Sequence, residues 1–311
     1  MSSYLGLDTS NYTTSACVYK DGIFYQKKKL LPVKDGEKGL RQSDAVFHHT
    51  AALSKIITDL FSTADFGTPD AVGVSVSPTR REGSYMPCFL VGINVAESLS
   101  GVMNIPLYTF SHQEGHIAAV LAGAERTELL SERFIAFHLS GGTTEAVLVQ
   151  PDKDNIFVTS LIARSLDLKA GQAIDRAGVM LGLKFPCGAE LDRLSLNSDR
   201  EFAVKPSVKG ADCSFSGIEN KCIQMKNAGE SDADIARFCI MSVVSGIDFM
   251  AEALIKEYGN LPLVFSGGVS SNTLLRNHFI QKYNAVFAEP SFSADNAAGI
   301  SYLTYLKNNE G

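Results

Sequence analysis

Ser10-Asn-Tyr-Thr-Thr-Ser-Ala16 aligns without a gap with Ser140-Gly-Gly-Thr-Thr-Glu-Ala146 in the second half of the chain. Each copy follows an apolar strand-like run, and each is followed by a second apolar strand, an Asp-containing turn and a third strand. One such turn is weak evidence, but the same strand–turn–strand unit used twice at domain scale is the mark of an internal duplication. The sequence therefore predicts two related lobes.

The duplicated turns are rich in glycine, serine and threonine. Backbone N–H groups and hydroxyls in such turns can bind phosphate oxygens. Most isolated turns of this composition are only turns, so the hypothesis depends on the repeat. We expect the two turns to face a shared cleft that binds a phosphorylated ligand.

Strands and helices alternate through the rest of the chain. A helix is predicted from about Ser43 to Phe61, and a strand, 261–265, precedes the glycine turn Ser266-Gly-Gly-Val-Ser-Ser-Asn272. Such alternation in two related halves predicts an α/β protein with two sheet-centred lobes. We assign residues 1–130 to the first lobe, with the C-terminal helix 295–311 packing back on it, and residues 131–294 to the second.

A histidine pair lies in Ser111-His-Gln-Glu-Gly-His116, between an apolar strand and an apolar helix. His112 and His116 are four residues apart, so on the first helical turn their imidazoles share one face and can converge on a metal ion. A bare spacing of this kind is more often a surface pair or a core pair. A zincin-type protease site is excluded, because Gln113 stands where that motif needs its glutamate.

Composition narrows the class of protein. The chain has 311 residues, 45% hydrophobic residues and a net charge of -6, which is unlike the basic balance of a stand-alone nucleic-acid binder. Six cysteines without a CxxC pair indicate a reducing compartment. No signal-peptide pattern is present, and the apolar segment 238–255 contains Asp248 and Glu252, which favours a buried helix over a membrane span. We expect a cytoplasmic protein without a membrane segment.

Several motifs, in order, resemble the TsaD/Gcp (Kae1-like) family of the actin-like ATPase (ASKHA) folds. They are Ser111 to His116 (family Asn-His-x-Glu-Gly-His), Ser140-Gly-Gly142, Ala170-Gly-Gln-Ala-Ile-Asp175-Arg, Cys213-Ser-Phe-Ser-Gly217, Gly267-Gly-Val-Ser-Ser-Asn272 with Leu275-Arg276, and Asp295-Asn-Ala-Ala298. The resemblance covers nearly the whole chain. It implies an α/β, actin-like ATPase fold, with two duplicated RNase H-like lobes around a nucleotide cleft.

The resemblance also implies a ligand set. His112, His116 and Asp295 would hold one divalent metal, iron or zinc. It implies contacts to an adenine nucleotide, threonylcarbamoyl-AMP or ATP, from Leu139, Ser140, Gly141, Gly142, Thr143, Asp175, Gly188, Asp192 and Asn272. The implied activity is acyl transfer of the N6-L-threonylcarbamoyladenine synthase type: the threonylcarbamoyl group moves from its adenylate to N6 of adenosine 37 in tRNA. The implied partners are tRNA and the proteins of the threonylcarbamoyl-transfer complex.

The chain departs from the family at the reacting end. The first turn of the family carries an adjacent acidic pair, and Tyr12 and Thr13 stand there instead. The family has a histidine after Ser-Gly-Gly, and this chain has Thr143 there. The short Gly-Pro-Gly loop of the family is replaced by the longer segment 77–84, which contains Arg80 and Arg81. A glutamate becomes Gln172. No catalytic residue is assigned.

Three hypotheses follow from these departures. The first is a TsaD-type transferase acting on tRNA. The second is a divergent carbamoyl-type transferase or nucleotide-binding paralogue with a different acceptor, in which Arg80, Arg81 and Lys169 supply charge. The third is a non-catalytic partner subunit, which has no need for three convergent metal ligands. Lys27-Lys-Lys29 and Arg80-Arg81 are the basic runs that RNA would contact, although a solvated strand edge also explains the lysines.

Overall fold

Two five-stranded sheets organise the residues that the structure, a computed structural model, describes: 2–10, 12–32, 40–288 and 297–309. The first sheet contains β1 (Ser3–Asp8), β2 (Thr13–Lys20), β3 (Ile23–Leu30), β4 (Ala71–Ser77) and β5 (Leu107–Ser111). The second contains β6 (Phe134–Leu139), β7 (Thr144–Asp152), β8 (Ile156–Arg164), β11 (Leu263–Ser266) and β12 (Val286–Phe287).

The two sheets have the same topology. Their strand orders are β3-β2-β1-β4-β5 and β8-β7-β6-β11-β12. In each, the first strand pairs with the second in antiparallel register and with a later strand in parallel register. Because every strand has its counterpart in the other sheet, the predicted duplication is confirmed.

Helices α1 (Gln42–Phe61) and α2 (Phe89–Met103) cover one face of the first sheet. The predicted helix at 43–61 is therefore present and begins one residue earlier. Its apolar positions are spaced at three and four residues, and Leu53, Ile56 and Leu60 are buried against sheet residues such as Leu5 and Leu7. This spacing gives a helix one continuous apolar stripe, so burial against the sheet follows from the sequence.

Helices α3 (His112–Gly123) and α9 (Ala297–Asn309) pack together, and α9 also lies on β1, β2 and β4. Glycines permit this close approach. A Cβ added to Gly6 would collide with the backbone of α9, and a Cβ added to Gly299 would overlap the carbonyl oxygen of Gly115 in α3. The helix that carries the histidine pair is therefore seated on α9 by backbone contact.

The second sheet is covered by a larger set of helices. They are α4 (Ala170–Met180), α5 (Gly188–Ser195), α6 (Ser216–Asn227), α7 (Asp232–Tyr258) and α8 (Thr273–Tyr283). A small sheet is formed by β9 (Ser207–Lys209) and β10 (Asp212–Ser214). Among the described helices, α7 alone is long and apolar enough to cross a membrane, but it packs against α4, α5, α6 and α8 and places residues such as Ile240 and Val244 in the core. It is the central helix of this core.

The chain divides into two compact units. One comprises Met1–Thr127, Asp152–Ile156 and Ala294–Gly311, and the other comprises Glu128–Pro151 and Phe157–Ser293. The first unit contains the histidine pair, and the second contains the Ser-Gly-Gly turn.

Candidate functional site

The histidine pair lies on the first turns of α3, directly after β5. Ser111 caps this helix: its side chain accepts a hydrogen bond from the backbone N–H of Glu114, and the Glu114 carboxylate accepts one from the N–H of Ser111 at 2.5 Å. This reciprocal capping box satisfies two N–H groups that have no partner inside the helix. The position of the first helical turn, and with it of His112, is fixed by local sequence.

The two imidazoles are close neighbours. The ring centroids of His112 and His116 are 4.7 Å apart and the ring planes make an angle of 70°. His116 is buried, whereas the side chain of His112 retains partial exposure. The structure therefore brings together the two histidines that the spacing predicted to converge.

A third residue, which the sequence did not reveal, orients this pair. Asp8, the last residue of β1, places its Oδ2 3.0 Å from Nδ1 of His112. Histidines that ligate metals almost always hold their other ring nitrogen on a carboxylate, a carbonyl or water, which fixes the tautomer and ring orientation. The contact occupies Nδ1 of His112, so a metal would be held through Nε2.

Asp8 is a buried carboxylate that stays ionised. Burial alone would raise its pKa, but the charge and hydrogen bond of His112 and a hydrogen bond from the N–H of Ser10 lower the pKa of Asp8 to about 2. A negative charge is thus fixed behind the histidine pair, and it favours a cation in front of it.

Asp295, the third expected ligand, lies outside the described residues. Within those residues, no group of three His, Cys, Asp or Glu side chains is arranged to hold a metal ion. The two histidines and their carboxylate support fit one metal in donor chemistry, and Asp295 as the third ligand stays a prediction.

The long segment 77–84 is tied to the start of α3. Arg80 donates from Nε to the buried carboxylate of Glu114 at 2.9 Å and from Nη2 to the carbonyl of Thr109 at 2.6 Å. The N–H of Gln113 donates to the carbonyl of Pro78 at 3.0 Å. This segment therefore supports the helix that carries the histidine pair. The positive charge of Arg80 is paired with the carboxylate of Glu114.

The duplicated turn that begins at Ser10 is supported by a buried histidine of α1. Nδ1 of His49 lies 2.8 Å from the hydroxyl of Thr14, and its Nε2 is buried without a hydrogen-bond partner in the part of the chain described. Tyr12 is exposed on the same turn, and Thr13 is half-buried. His49 therefore lies under this turn and is bonded to it through Thr14.

Protonation of His49 is expected to destabilise the protein. Burial lowers its pKa from 6.5 to about 4, against the opposing charge of Asp8. Since the folded state disfavours the proton, stability is complete above pH 6.5 and is lost as the pH falls toward 4, by about 2 kcal/mol at pH 5. Urea unfolding at neutral pH and at pH 5 should show a smaller loss in His49→Leu than in the wild type or His48→Gln. Equal losses in all three would contradict the prediction.

The Ser-Gly-Gly turn of the second unit joins β6 to β7. The hydroxyl of Ser140 accepts hydrogen bonds from the N–H groups of Gly142 and Thr143, at 3.3 and 3.0 Å. Gly141 and Gly142 have open space where a Cβ would stand. The turn is thus accessible, but two of the N–H groups expected to bind phosphate are already held by Ser140.

Two further glycines allow neighbouring segments to pack closely against this turn. A Cβ on Gly171, in the first turn of α4, would lie 2.7 Å from the backbone nitrogen of Gly141. A Cβ on Gly267, whose φ is +90°, would lie 2.8 Å from the carbonyl carbon of Leu139. The N-terminus of α4 and the second glycine turn therefore pack directly on the Ser-Gly-Gly turn.

Asp175 and Gly188 are brought close by the turn before α5. The carboxylate of Asp175 accepts a hydrogen bond from the N–H of Cys187 at 2.7 Å, and burial raises the pKa of Asp175 despite this bond. Gly188 begins α5 and faces open space. Gly188 is placed where a ligand can approach, and the contact of both residues with an adenine nucleotide stays a prediction.

Asp192 and Asn272 are bound to each other. Nδ2 of Asn272 donates to Asp192 at 2.8 Å, and the hydroxyl and N–H of Thr273 donate to the same carboxylate. Oδ1 of Asn272 caps α8 by accepting from the N–H of Leu275. The structure thus gives both residues a local role in holding the start of α8, which the sequence had not suggested.

Solved structures define the class of protein. Component A of (R)-2-hydroxyglutaryl-CoA dehydratase from Acidaminococcus fermentans is similar with a TM-score of 0.58 at 15% identity, over 99% of this chain and 100% of that one. Full-length HypF, in its phosphate- and nucleotide-bound form, is similar with a TM-score of 0.62 at 16% identity, over 98% of this chain and 46% of that one. The duplicated sheets and these neighbours define a protein with the actin-like ATPase fold.

Sequence relatives define the family. A family model described as TsaD, tRNA N6-adenosine threonylcarbamoyltransferase, matches residues 34–302. The proteins of that name from Syntrophus aciditrophicus (strain SB) and Staphylococcus aureus (strain Newman) are each 29% identical to this chain over 99% of its length, and 93% and 92% of their own. The chain belongs to the TsaD family. The predictions of the family, the fold and an enzyme of the acyltransferase kind are confirmed.

Proposed function

We propose that the protein transfers a threonylcarbamoyl group from its adenylate to N6 of adenosine 37 in tRNA. Family membership supports the reaction class. The observation that carries the proposal is the contact of Asp8 with His112, since a buried carboxylate aims the histidine pair of the family motif. A chain that had lost this chemistry would have no need to keep a charged group buried there.

The proposal includes one bound metal, iron or zinc. His112 and His116 hold it, with Asp295 as the third ligand, and two imidazoles and a carboxylate leave coordination positions for a substrate. When bound, such an ion supplies a Lewis acid that orients and polarises an acyl-adenylate. Asp8 orients His112, and the Ser111–Glu114 capping box fixes the helix that carries both imidazoles.

The adenine nucleotide, as threonylcarbamoyl-AMP or ATP, binds in the second unit. The turn from Leu139, which is itself buried, to Thr143 receives the phosphate end, because Gly141 and Gly142 leave space and the N-terminus of α4 packs beside it. Asp175 and Gly188 contact the ribose and adenine side of the nucleotide. Asp192 and Asn272 act mainly by holding the start of α8.

The partners proposed are tRNA and the proteins of the threonylcarbamoyl-transfer complex, in the cytoplasm. A net charge of -6 leaves RNA binding to local basic surfaces or to a partner. The exposed lysines 27–29 on the edge strand β3 form one such surface, together with Lys55 of α1.

A second candidate is a carbamoyl-type transferase or nucleotide-binding paralogue with a different acceptor. It is favoured by the first turn, where the exposed side chain is Tyr12 and the acidic pair of the family is absent. Arg80 does not add to this candidate, because its guanidinium is engaged by Glu114. A non-catalytic partner subunit is the least supported, since it leaves the Asp8–His112 contact without a use.

The test is restoration of the modified nucleoside in cells. Bacteria depleted of their own TsaD receive this chain, and threonylcarbamoyladenosine in total tRNA is measured by mass spectrometry. We expect recovery with the wild type. His112→Ala, expressed to the same level, should give none, because it removes one imidazole of the pair.

Co-expression with the host's partner proteins controls for a missing complex. No recovery in either arm, with the protein folded and abundant, would exclude the transfer to adenosine 37 and favour the second candidate. Elemental analysis of the purified protein, with and without His112→Ala, tests the metal separately. A wild type without metal would exclude the metal-dependent form of the proposal.

A further inference from the structure

Lys169 lies directly before α4, where this helix meets the Ser-Gly-Gly turn. The next residue, Ala170, donates its N–H to the hydroxyl of Thr144 at 2.8 Å. The N–H of Gly171 donates to the carbonyl of Ser140 at 3.2 Å. These two bonds tie the start of α4 to both ends of the turn, so the backbone of Lys169 is held beside it.

The ammonium group of Lys169 also lies close to the end of the turn. Its Nζ donates to the carbonyl of Ser165 at 3.1 Å. Ser165 is bound to the strand that leaves the turn, because its N–H donates to the carbonyl of Thr144 at 2.8 Å. Its hydroxyl donates to the carbonyl of Leu168 at 2.6 Å, which closes this short segment on itself. Backbone and ammonium are therefore each one hydrogen-bonded residue away from Thr144, the first residue after the turn.

The positive charge of Lys169 has no counterion within the residues that the structure describes. The side chain is half-buried, and its hydrogen bond goes to a neutral carbonyl. Asp167 is close in sequence, but its carboxylate accepts the N–H groups of Phe215 and Ser216, at 2.7 and 3.3 Å. An ammonium has three N–H donors, and Ser165 uses one of them. Two donors and the whole charge are left for a ligand.

The Ser-Gly-Gly turn has space for an anion but no charge of its own. Gly141 and Gly142 face open space where a Cβ would stand. The N–H groups of Gly142 and Thr143 already donate to the hydroxyl of Ser140, so a phosphate gains them only by displacing that hydroxyl. Lysine is a flexible point charge that binds phosphate without a fixed geometry. Lys169 can therefore supply what the turn lacks.

We propose that Lys169 binds the phosphate of the nucleotide at the Ser-Gly-Gly turn, by turning its ammonium from the carbonyl of Ser165 to a phosphate oxygen. The inference rests on the proposed function in one respect, namely that an adenine nucleotide is the ligand. Lys169 precedes the motif that begins at Ala170, so the family motifs do not include it. The site thereby gains a preference for ligands that carry phosphate.

Calorimetric titration of the nucleotide-free protein with AMP and with adenosine isolates the phosphate contact. A hydrogen bond to a charged group corresponds to about 10-fold or more in affinity, so Lys169→Met should bind AMP about 10-fold more weakly and adenosine equally well. Lys169→Arg should keep most of the AMP affinity, because it keeps the positive charge. Lys221→Met removes an exposed lysine from α6 of the same unit and should bind both ligands as the wild type does.

Thermal unfolding separates a binding residue from a structural one. Lys169→Met removes a half-buried charge that has no counterion, so the nucleotide-free variant should unfold at the temperature of the wild type or slightly above it. AMP should raise the unfolding temperature of the wild type more than that of the variant. A lysine needed only for the fold would instead lower the unfolding temperature of the nucleotide-free protein.

The titrations also define the results that would overturn the inference. AMP affinity within twofold of the wild type in Lys169→Met, or equal weakening for AMP and adenosine, would do so while leaving the proposed function intact. Equal affinity of the wild type for AMP and adenosine would have the same meaning. A wild type that binds neither ligand would overturn nucleotide binding itself, and the role of Lys169 with it.

Discussion

Gly299→Ala is expected to destabilise the first unit by about 3 kcal/mol or more, a lowering of the unfolding temperature by roughly 6–12 °C for a unit of this size. Alanine is the better helix former, and at an open site the change would stabilise a helix by about 1 kcal/mol. Here the new methyl group would overlap the carbonyl oxygen of Gly115 and approach the nitrogen of Ala119 to 2.8 Å. Both are backbone atoms, so relief requires α3 and α9 to separate.

Gly101→Ala is the matched control, because Gly101 lies within α2 and has nothing within 4 Å of an added Cβ. It should be neutral or slightly stabilising. Thermal unfolding followed by circular dichroism compares the two variants directly. If Gly299→Ala unfolded at the same temperature as Gly101→Ala, the result would contradict the close backbone contact of α3 with α9.

Asp8→Asn is expected to weaken metal binding by 10- to 100-fold, the usual cost of losing a partner that supports a metal-ligating histidine. The change keeps the shape of the side chain and removes its charge. The amide can still bond to Nδ1 of His112, but the negative charge that favours a cation in front of the pair is gone. This substitution therefore tests the charge of Asp8 separately from the position of its side chain.

Zinc affinity, measured by competition with a chromogenic chelator, checks this prediction. Asp59→Asn is the control, since it removes one exposed carboxylate from α1 in the same unit. Thermal unfolding of the metal-free proteins excludes a loss of fold. Zinc affinity within threefold of the wild type in Asp8→Asn would show that Asp8 supports the histidine for structural reasons only.

The fold could be predicted from sequence because its evidence is local and is present twice. The turns at Ser10 and Ser140 align without a gap, and the strands around them are apolar runs of a few residues. The spacing of His112 and His116 is likewise local, since one helical turn decides where both side chains point. Such features need only short-range periodicity.

The parts of the site that were not predicted depend on pairing across long stretches of chain. Asp8 meets His112 because β1, β4 and β5 are adjacent in the sheet, an order that periodicity does not encode. Asp192 satisfies Asn272 and Thr273 in the same way, through the approach of α5 to α8.

The position of α9 has a consequence for synthesis of the protein on the ribosome. This helix covers β1, β2 and β4, yet it is translated after the whole of the second unit. Until α9 is synthesised, the face of the first sheet that carries Gly6 and Gly73 therefore stays uncovered. The residues from Glu128 onward leave the ribosome and fold during that time. The histidine pair therefore acquires its support on α9 only after the second unit has been synthesised.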